Sequence, residues 1–265
     1  MNKVFAFDAL AQAYDQSFTN SVTGQYQRSL SRKWLKKFLH DKGSLDILEI
    51  NCGTGEDALW LASQGHKVVA TDGSPAMIER AQQKLLANNG NEPLFTVCTF
   101  EELAETFHDK KFDLVLSNFA GLNCISSASL QELLKNIHSL VRQGGHVAAV
   151  IFGKYCIWES LFYLSKFKPA IAGRRWNAKP STVQFGPSST QQVHYYSARA
   201  FTASGLFQLV HKKPVGLLVP PTYLETWAQK QKALVKRLYK IENKIGFSWM
   251  SHFADHTYIL LKKPG

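Results

Sequence analysis

The sequence has few features of a metal-binding, secreted or membrane-spanning protein. None of its four cysteines stands close to another in sequence, so we expect no zinc site and no other metal. We expect all four to be reduced thiols in a cytoplasmic protein. No apolar stretch approaches the roughly 20 residues of a membrane helix. The N-terminus has no basic start followed by an apolar segment, so it does not predict a signal peptide.

Long runs of one charge are also missing. Lysine and arginine together number 31 against 20 acidic residues, which gives a formal net charge of +11, but the basic residues are spread in stripes. Such a balance suits nucleic acid, a membrane surface or an anionic substrate, and it decides nothing about the fold. With 265 residues, 45% of them hydrophobic, the chain is long enough for one large α/β domain with a real core.

The clearest pattern that is present lies in the stretch "ILEINCGTGEDALWLASQGHKVVATD". It reads as a buried strand at residues 45–50, a helix at Glu56–Ser63 and a second strand that ends on Asp72. Gly53 and Gly55 stand at the first junction, where the backbone must turn sharply and something must approach it closely. A carboxylate at the end of the second strand is placed to accept hydrogen bonds from a ribose diol. The stretch therefore predicts a nucleoside-binding βαβ unit.

The alternation of strands and helices continues along the chain. An amphipathic helix from Tyr26 precedes the first strand, and five more strands are predicted at 94–99, 112–118, 146–152, 207–210 and 257–262. Alternating elements predict right-handed crossovers and a mostly parallel sheet. The fold class predicted is α/β, with a seven-stranded mostly parallel sheet, helices on both faces and an inserted cap segment.

Two phosphate-binding motifs are absent from the glycine loop. A dinucleotide-binding G-x-G-x-x-G motif would need a third glycine where Asp57 and Ala58 stand, and the Gly-Lys-Ser/Thr of a P-loop does not occur there. A nucleoside without phosphates does not need the pyrophosphate-binding turn. The shorter Gly-x-Gly is sufficient for it.

A series of motifs along the chain carries a resemblance to a known family. The glycine loop "ILEINCGTG" has Asn51 in place of a usual first glycine, and Asp72 is followed by "GSPAMIERA". "FDLVLSNFAGLN" and "LVRQGGHVAAVIF" come next, with "FDALAQAYD" before them and "HYYSARAFTASGLF" after. Over most of its length the chain resembles the class I S-adenosylmethionine-dependent methyltransferases, in their small-molecule branch. The resemblance implies a Rossmann-like fold, S-adenosyl-L-methionine as cofactor and methyl transfer as the reaction.

The resemblance also implies a set of cofactor-binding residues. They are Tyr14, Glu49, Asn51, Gly53, Gly55, Asp72, Gly73, Met77, Thr99, Phe100 and Asn118. The two loop glycines would let the backbone approach the methionine moiety, and Glu49 would order the loop. Asp72 would hold the ribose hydroxyls, with a helix N-cap as its structural alternative.

The remaining members of the set would surround the adenine and the methyl group. Gly73 and Met77 would flank the adenine, although Met77 could be only a core residue. Phe100 would face the adenine ring through its backbone, and Thr99 stands where the family commonly has an acid. Asn118 would line the methyl-donor side of the pocket, with a turn residue as the alternative, and Tyr14 would close over the cofactor.

In domain terms, residues 1–265 are expected to form a single methyltransferase domain. Its parts are an N-terminal helical segment, a cofactor-binding half, an inserted substrate cap, and C-terminal strands with a helix, at residues 1–44, 45–153, 154–190 and 191–265. The inserted part, with its "KFKPAIAGRRWNAKPS", is rich in aromatic and basic residues, and its proline and glycine spacing breaks regular periodicity.

The expected chemistry makes few demands on the protein. A sulfonium methyl is already electrophilic, so the main task is to align the acceptor and exclude water. A base is needed only when the acceptor must lose a proton, and His194 is the candidate, with a structural histidine as the alternative. Trp158 and Tyr195 would contact an apolar acceptor, while Arg174 and Arg175 would hold a carboxylate or phosphate on it.

The function expected is O-, N- or C-methylation of a small, largely apolar and anionic acceptor, either free or tethered to an acidic carrier protein. Two other classes stay open. A nucleic-acid methyltransferase would also be basic, but the Asn/Asp-Pro-Pro-aromatic signature is replaced by Asn118-Phe119-Ala120-Gly121, so a nucleic-acid partner is not expected. A non-catalytic cofactor-binding protein is the other alternative, and Gly53, Gly55 and Asp72 argue against it.

Overall fold

The computed structural model describes residues 11–86, 92–176, 179–185 and 189–265. The short helix and loop expected at residues 5–24 therefore lie partly outside the described residues, as does the start of the early "FDALAQAYD" motif. Within these ranges no helix has the length and apolar character needed to cross a bilayer. In the same ranges no three His, Cys, Asp or Glu residues are grouped so that they could hold a metal ion.

Nine strands are found in the described ranges, and seven of them form one sheet. The strands are β1 (Asp46–Ile50), β2 (Lys67–Asp72), β3 (Leu94–Val97), β4 (Phe112–Ser117), β5 (Val141–Phe152), β6 (Ser181–Phe185), β7 (Ser189–Val193), β8 (Gln208–Val215) and β9 (His256–Lys262). The large sheet has the order β3-β2-β1-β4-β5-β9-β8. Strands β1 to β5 are parallel, and β9 and β8 are antiparallel to their neighbours. The predicted seven-stranded, mostly parallel sheet is confirmed.

Helices cover both faces of this sheet, as predicted. The helices are α1 (Ala11–Tyr14), α2 (Val22–Leu39), α3 (Glu56–Ser63), α4 (Pro75–Leu86), α5 (Leu103–Thr106), α6 (Ser127–Leu140), α7 (Ile157–Ser165), α8 (Pro169–Ala172), α9 (Arg199–Thr202), α10 (Glu225–Lys230) and α11 (Lys232–Glu242). Helices α2, α3 and α4 contribute to the core on one face. Helices α5, α6 and α9 contribute to the core on the other.

The first strand shows why its sequence is a continuous apolar run. Ile47, Leu48 and Ile50 are fully buried. Ile47 belongs to the core under α2 and α3, whereas Leu48 and Ile50 belong to the core under α6. Because successive side chains point to opposite faces, a central strand covered by helices on both faces needs apolar residues at odd and even positions alike. This strand fixes the glycine loop that follows it.

The C-terminal helical region differs from its sequence pattern. The sequence predicts one helix near residues 224–245, with its apolar residues Trp227, Leu234, Leu238, Ile241 and Ile245 on one side. The structure instead has two helices, α10 and α11. Trp227, Leu234 and Ile241 are 38%, 42% and 44% exposed, so the core-facing side of α11 is not the one that these residues form.

A buried carboxylate explains the rotation of the helix. Glu242, at the end of α11, accepts hydrogen bonds of 2.8 Å from the backbone N–H groups of Leu217, Leu218 and Val219. These donors would otherwise lack partners, so the loop at 217–219 holds Glu242 inside. Val235 lies on the same face of α11 as Glu242 and is buried with it. The pattern of apolar residues alone could not show this contact.

The segment predicted as an insertion at residues 154–190 contains α7, α8 and a separate two-stranded hairpin of β6 and β7. The hairpin ends at Val193, so residues 154–193 are called the insertion below. It leaves the large sheet at the end of β5, where the Gly153 N–H donates a 2.7 Å hydrogen bond to the Asp255 carbonyl. The insertion thus begins at the edge of the sheet where the parallel strands end.

Candidate cofactor and acceptor site

One edge of the sheet gathers the residues singled out from the sequence. The parallel strands end there, and the antiparallel strand β9 begins there, because Phe152 at the end of β5 pairs with His256. Asn51 follows β1, Asp72 ends β2 and Asn118 follows β4. The chain order reverses between β1 and β4, since β2 and β4 lie on opposite sides of β1. Ligands of open α/β sheets bind at such a switch point.

The glycine loop adopts left-handed backbone at three positions: Asn51 (φ 51°), Gly53 (φ 55°) and Gly55 (φ 79°). A Cβ at Gly55 would lie 2.7 Å from the Phe95 ring and 2.9 Å from Ala81. Gly55 therefore lets α3 start close against β3 and α4. At Gly53 a Cβ would meet nothing nearer than Tyr14 Cε1, at 3.8 Å. The loop is open at Gly53, as an approaching ligand requires.

Asp72 fixes the position of this loop. Its Oδ2 accepts a 2.8 Å hydrogen bond from the Gly53 N–H, and its Oδ1 accepts one of 2.9 Å from the Ser74 N–H. The side chain that caps α4 is Ser74, whose Oγ accepts from the Met77 N–H at 3.2 Å. The N-cap position thus belongs to Ser74, and the carboxylate of Asp72 is held at the edge of the sheet.

Asn51 ties the glycine loop to the end of β4. Its Nδ2 donates to the Asn118 carbonyl at 3.0 Å, and its Oδ1 accepts from the Ser117 hydroxyl at 2.6 Å. A Cβ on Gly121 would lie 2.4 Å from Asn51 Cγ. The asparagine that replaces a usual glycine is therefore accommodated by a glycine at a distant position in the sequence.

A buried polar group lies beside the loop, and the sequence pattern missed it. Asp57 forms ion pairs with Arg28 and Arg32 and accepts from Asn118 Nδ2 at 2.7 Å. Although burial raises its pKa, the two arginines hold the pKa of Asp57 below its ordinary value. The helical spacing of Leu30, Trp34 and Leu35 predicts that Arg28 lies on the opposite, solvent-facing side of the helix. Arg28 is instead only 9% exposed.

The Arg28 guanidinium also lies over two rings, 5.5 Å from the centroid of Phe18 and 4.9 Å from that of Phe119. A helical periodicity cannot distinguish a basic residue that turns inward toward a carboxylate from its solvated neighbours. Only the pairing with Asp57, 29 positions away, identifies it.

Glu49, beside the loop, has a buried carboxylate oxygen without a hydrogen-bond partner among the described residues. The residue is 2% exposed, and the oxygen is its Oε2. Burial, together with the nearby charge of Asp57, raises the pKa of Glu49 well above its ordinary value. A ligand that brings an ammonium or hydroxyl donor would satisfy such an acceptor. S-adenosylmethionine carries both, so the donor and acceptor chemistry of the site fits this cofactor.

The N-terminal segment covers the loop. Tyr14 lies against Gly53, and burial raises the pKa of Tyr14 to about 12. The next residue, Asp15, accepts hydrogen bonds of 2.7 Å from Thr54 Oγ1 and from Lys84 Nζ. Because Thr54 belongs to the glycine loop and Lys84 to α4, Asp15 fastens the segment over the site.

The residues expected around the adenine lie at the ends of β2 and β3. Gly73 follows Asp72, and Met77 is 2% exposed in the first turn of α4. After β3 the Thr99 N–H donates a 2.8 Å hydrogen bond to the Glu102 carboxylate, and Phe100 packs against the core on the α6 face. Their contacts with adenine stay a prediction.

A row of aromatic rings leads from the loop to the insertion. Phe119 lies 4.8 Å from Phe18 and 5.7 Å from His256, between ring centroids. His256 stacks on Phe152 at 4.8 Å, and Phe152 lies 6.2 Å from Tyr195. The row follows the edge of the sheet away from Asn118.

His256 stands next to a charged partner. Its Nδ1 lies 3.2 Å from the Asp255 carboxylate, in a geometry that falls short of a hydrogen bond. Burial raises the pKa of Asp255, but the nearby charges of His256 and Arg175 outweigh it and hold that pKa far below its ordinary value. No sequence pattern points to His256, because a single histidine at the start of a strand has no characteristic spacing.

The two arginines of the insertion bind carboxylates of the chain itself. Arg175 directs its guanidinium nitrogens to Glu159, to Asp255 and to the Gly153 and Asp255 carbonyls. Arg174 makes a bidentate pair with Glu159, at 2.8 and 3.0 Å. All five N–H donors of Arg175 thus have acceptors within the chain, and its expected contact with a methyl acceptor stays a prediction. An acceptor contact by Arg174 stays a prediction.

The other predicted acceptor-side residues lie near the same edge. Tyr195 lies beside Phe152. The Arg175 guanidinium lies over the Tyr195 ring, 5.4 Å from the centroid of that ring. Trp158 is 6.2 Å from Trp227, and its Nε1 is buried without a partner. The His194 N–H donates a 2.7 Å hydrogen bond to the Asn123 carbonyl, which places His194 beside the loop after β4. Their roles toward an acceptor stay predictions.

Comparison with known proteins agrees with this geometry. A family described as "Methyltransferase domain" matches residues 47–145. Human glycine N-methyltransferase is 34% identical over 140 residues, which are 48% of this chain and 45% of that protein. The chain thus spans about half the length of this curated relative.

Two further proteins match over longer stretches. The tRNA 5-carboxymethoxyuridine methyltransferase of Escherichia coli K12 is 24% identical over 197 residues, covering 73% of this chain and 74% of its own. A S-adenosylmethionine-dependent methyltransferase of Clostridium acetobutylicum superposes with a TM-score of 0.60 at 14% identity, covering 98% and 100% of the two chains. That superposition shows the fold alone.

The family match spans β1 to the start of β5, which is the part of the sheet that carries the glycine loop and Asp72. The sheet order and the orphaned Glu49 acceptor suit the same ligand. Residues 47–145 thus match a methyltransferase domain, and the cofactor that the site supports is S-adenosyl-L-methionine.

Proposed function

We propose that this protein transfers the methyl group of S-adenosylmethionine to a small, largely apolar acceptor bound between the glycine loop and the insertion. The observation that carries the proposal is the row of rings from Phe18 and Phe119 through His256 and Phe152 to Tyr195. Aromatic side chains that line one path beside the cofactor site favour an apolar ligand. Each apolar ring buried there contributes on the order of 1.5–3 kcal/mol.

The chain's own residues align the two reactants and exclude water. When bound, S-adenosylmethionine supplies an electrophilic methyl group. Asp72 and Glu49 hold the ligand on the loop side, while Tyr14 covers it. The Asp57–Arg28 pair keeps Phe119 in place, since the guanidinium lies on that ring. With positions fixed in this way, correct orientation provides much of the rate enhancement.

An acceptor that must lose a proton needs a base, and two histidines lie near the edge of the sheet that carries the glycine loop. His256 stands in the row of rings with Asp255 beside its Nδ1, as an orienting carboxylate would stand. His194 lies next to the β4 loop and was the candidate from sequence. We infer that His256 is the stronger of the two, because it stands in the row of rings with the Asp255 carboxylate 3.2 Å from its Nδ1.

An acidic group on the acceptor, or an acidic carrier protein, is not part of the proposal. Arg174 and Arg175 are the residues expected to bind such a group. Their two positive charges are already balanced by the carboxylates of Glu159 and Asp255. A tRNA acceptor is the main alternative. It is supported by the longer match to the Escherichia coli tRNA enzyme and by the net charge of +11.

Methyl transfer from isotopically labelled S-adenosylmethionine tests the proposal. The full chain is incubated with a small-molecule extract, an organic-solvent lipid extract and bulk tRNA in parallel, and Asp72→Ala serves as the cofactor-site control. We expect label in one of the first two pools, and none with Asp72→Ala. Label in tRNA alone would establish the alternative acceptor. Calorimetric binding of the cofactor with no transfer to any pool would favour a non-catalytic protein.

The choice of base is tested once an acceptor is labelled. His256→Gln and His194→Gln are compared in kcat and in calorimetric affinity for the cofactor. We expect His256→Gln to lower kcat at least about a hundredfold, the scale of losing a general base, and His194→Gln to leave kcat near the wild-type value, with cofactor affinity unchanged in both. The reverse pattern assigns the base to His194, and unchanged kcat in both variants shows that no histidine base is used.

A further inference from the structure

The outer face of helix α7 is apolar and exposed. Ile157, Leu161 and Leu164 are 42%, 60% and 53% exposed, and the nearby Phe167 is 94% exposed. Spacings of four and three residues place the first three on one side of the helix. The opposite side carries Glu159, which is 1% exposed and paired with Arg174 and Arg175. That buried ion cluster fixes the rotation of the helix, so the apolar side cannot turn inward.

Phe167 occupies a position at which a helix usually has glycine. The Lys168 N–H donates to the Tyr163 carbonyl at 2.9 Å and the Phe167 N–H to the Leu164 carbonyl at 3.0 Å, the pattern of a Schellman C-terminus. Phe167 is the left-handed residue of this motif, with φ 55°. A bulky side chain is disfavoured in that conformation. The chain therefore keeps a strained, solvent-exposed phenylalanine where glycine would be more stable.

Positive charge surrounds this ring. Lys166 and Lys168 flank Phe167, and both are exposed. Between residues 154 and 176 the sequence has one acidic residue, Glu159, and its carboxylate pairs with Arg174 and Arg175. All the exposed formal charges on this part of the insertion are therefore positive, and they lie beside exposed aliphatic side chains.

We propose that this face, formed by Ile157, Leu161, Leu164 and Phe167 with Lys166 and Lys168, docks on the surface of a bilayer that contains anionic lipid. The apolar side chains would enter the boundary between headgroups and acyl chains, and the two lysines would pair with lipid phosphates. The proposal concerns binding at the surface. It does not depend on the identity of the methyl acceptor.

Charge favours a lipid surface over the other occupants of such a face. A second copy of the chain in a two-fold contact would bring the same lysines near one another, and like charges in a contact are costly. Nucleic acid would satisfy Lys166 and Lys168, but it offers nothing to Leu161 or Leu164, since single-stranded bases stack on aromatic rings. Anionic lipid meets both the charge and the aliphatic side chains.

Vesicle flotation of the full chain tests the proposal. The probes are vesicles of equimolar phosphatidylcholine and phosphatidylglycerol, and vesicles of phosphatidylcholine alone. We expect binding to the first, weak binding to the second, and loss of binding as salt is raised. No binding to the anionic vesicles would overturn the proposal.

The sharpest variant is Phe167→Gly. Glycine suits the left-handed position, so the variant should unfold at the same temperature as the wild type or a higher one. It should nevertheless bind anionic vesicles at least about tenfold more weakly, the scale of losing one buried phenylalanine. Equal vesicle affinity in the two proteins would contradict the assignment of Phe167.

Matched pairs of variants locate the surface. Leu161→Ser should weaken vesicle binding, whereas Leu86→Ser, at a side chain that is 88% exposed at the end of α4, should not. Replacing Lys166 and Lys168 together by Gln should remove much of the preference for anionic vesicles. Calorimetric affinity for S-adenosylmethionine should stay unchanged in all these variants, which separates this result from a failure of the proposed function. A dimer in sedimentation that Phe167→Gly dissolves, without vesicle binding, would assign the face to a second copy instead.

Discussion

The glycine loop and the insertion use charged side chains in opposite ways. At the loop, one carboxylate oxygen of Glu49 has no hydrogen-bond partner within the described part of the chain, so it is left for a donor that a ligand would bring. In the insertion, Arg174 and Arg175 are balanced by Glu159 and Asp255, so the charges there complete one another. Basic residues in a segment that is expected to bind substrate therefore do not by themselves indicate an anion-binding site.

The largest expected effect tests whether the charge cluster of the insertion is structural. Glu159→Gln leaves two guanidinium groups with one carboxylate in a buried site. Breaking a buried pair on one side costs about 3–5 kcal/mol, so the free energy of unfolding in a denaturant titration should fall by that amount. Glu132→Gln is the control, because its pair with Lys135 has side chains 67% and 66% exposed, and it should change stability by less than about 0.5 kcal/mol. Wild-type stability in Glu159→Gln would return these arginines to an acceptor-binding role.

The next effect tests the loop. Asp72→Ala removes the carboxylate that accepts from Gly53 and Ser74. We expect calorimetric affinity for S-adenosylmethionine to fall by about 1.5–3 kcal/mol, the scale of hydrogen bonds to a charged group. Asp46→Ala removes a carboxylate at the opposite edge of the same sheet, where it pairs with Arg142. It should leave the affinity unchanged. Equal losses in both variants would mean that the effect is general destabilisation.

The same contrast explains what the sequence could predict. The sheet, the glycine loop and Asp72 follow from local patterns, because a buried strand, a glycine turn and a strand-end carboxylate each have their own spacing. The predicted helix bounds Glu56–Ser63 agree with α3 at both ends. Backbone geometry of this kind is determined by nearby residues, so it can be predicted from them.

Positions set by long-range polar contacts could not be predicted in this way. Arg28 turns inward to reach Asp57, Arg175 reaches Asp255 across 80 positions, and Glu242 rotates α11 by binding the loop at 217–219. Each contact joins segments whose relative placement the sequence pattern leaves open. His256 was missed for the same reason, since its neighbours Phe119 and Phe152 come from the loop after β4 and from the end of β5.

A smaller effect tests the asparagine of the glycine loop. Gly121→Ala would place a Cβ 2.4 Å from Asn51 Cγ, and such crowding typically costs about 1–3 kcal/mol of unfolding free energy. Asn51→Gly removes the obstructing side chain and suits the left-handed backbone at φ 51°. In that background Gly121→Ala should cost less than half as much. A double-mutant cycle measures the coupling, and additive effects would show that the two positions do not interact.

The smallest effect concerns the N-terminal segment that covers the loop, and it depends on pH. Burial raises the pKa of Asp15, but the contacts with Lys84 and Thr54 outweigh it and hold the pKa below its ordinary value. Because the folded pKa is lower than the unfolded one, the stabilisation is present above pH about 4 and is lost as the pH falls through the folded pKa. At pH about 7 the free energy of unfolding of Asp15→Asn should therefore be about 1 kcal/mol lower than that of the wild type. This difference should disappear on acidification. Asp41→Asn, at a side chain that is 91% exposed, should show no gap at any pH. A gap for Asp15→Asn that stays constant from neutral to acid pH would show that this carboxylate does not fasten the segment by its charge.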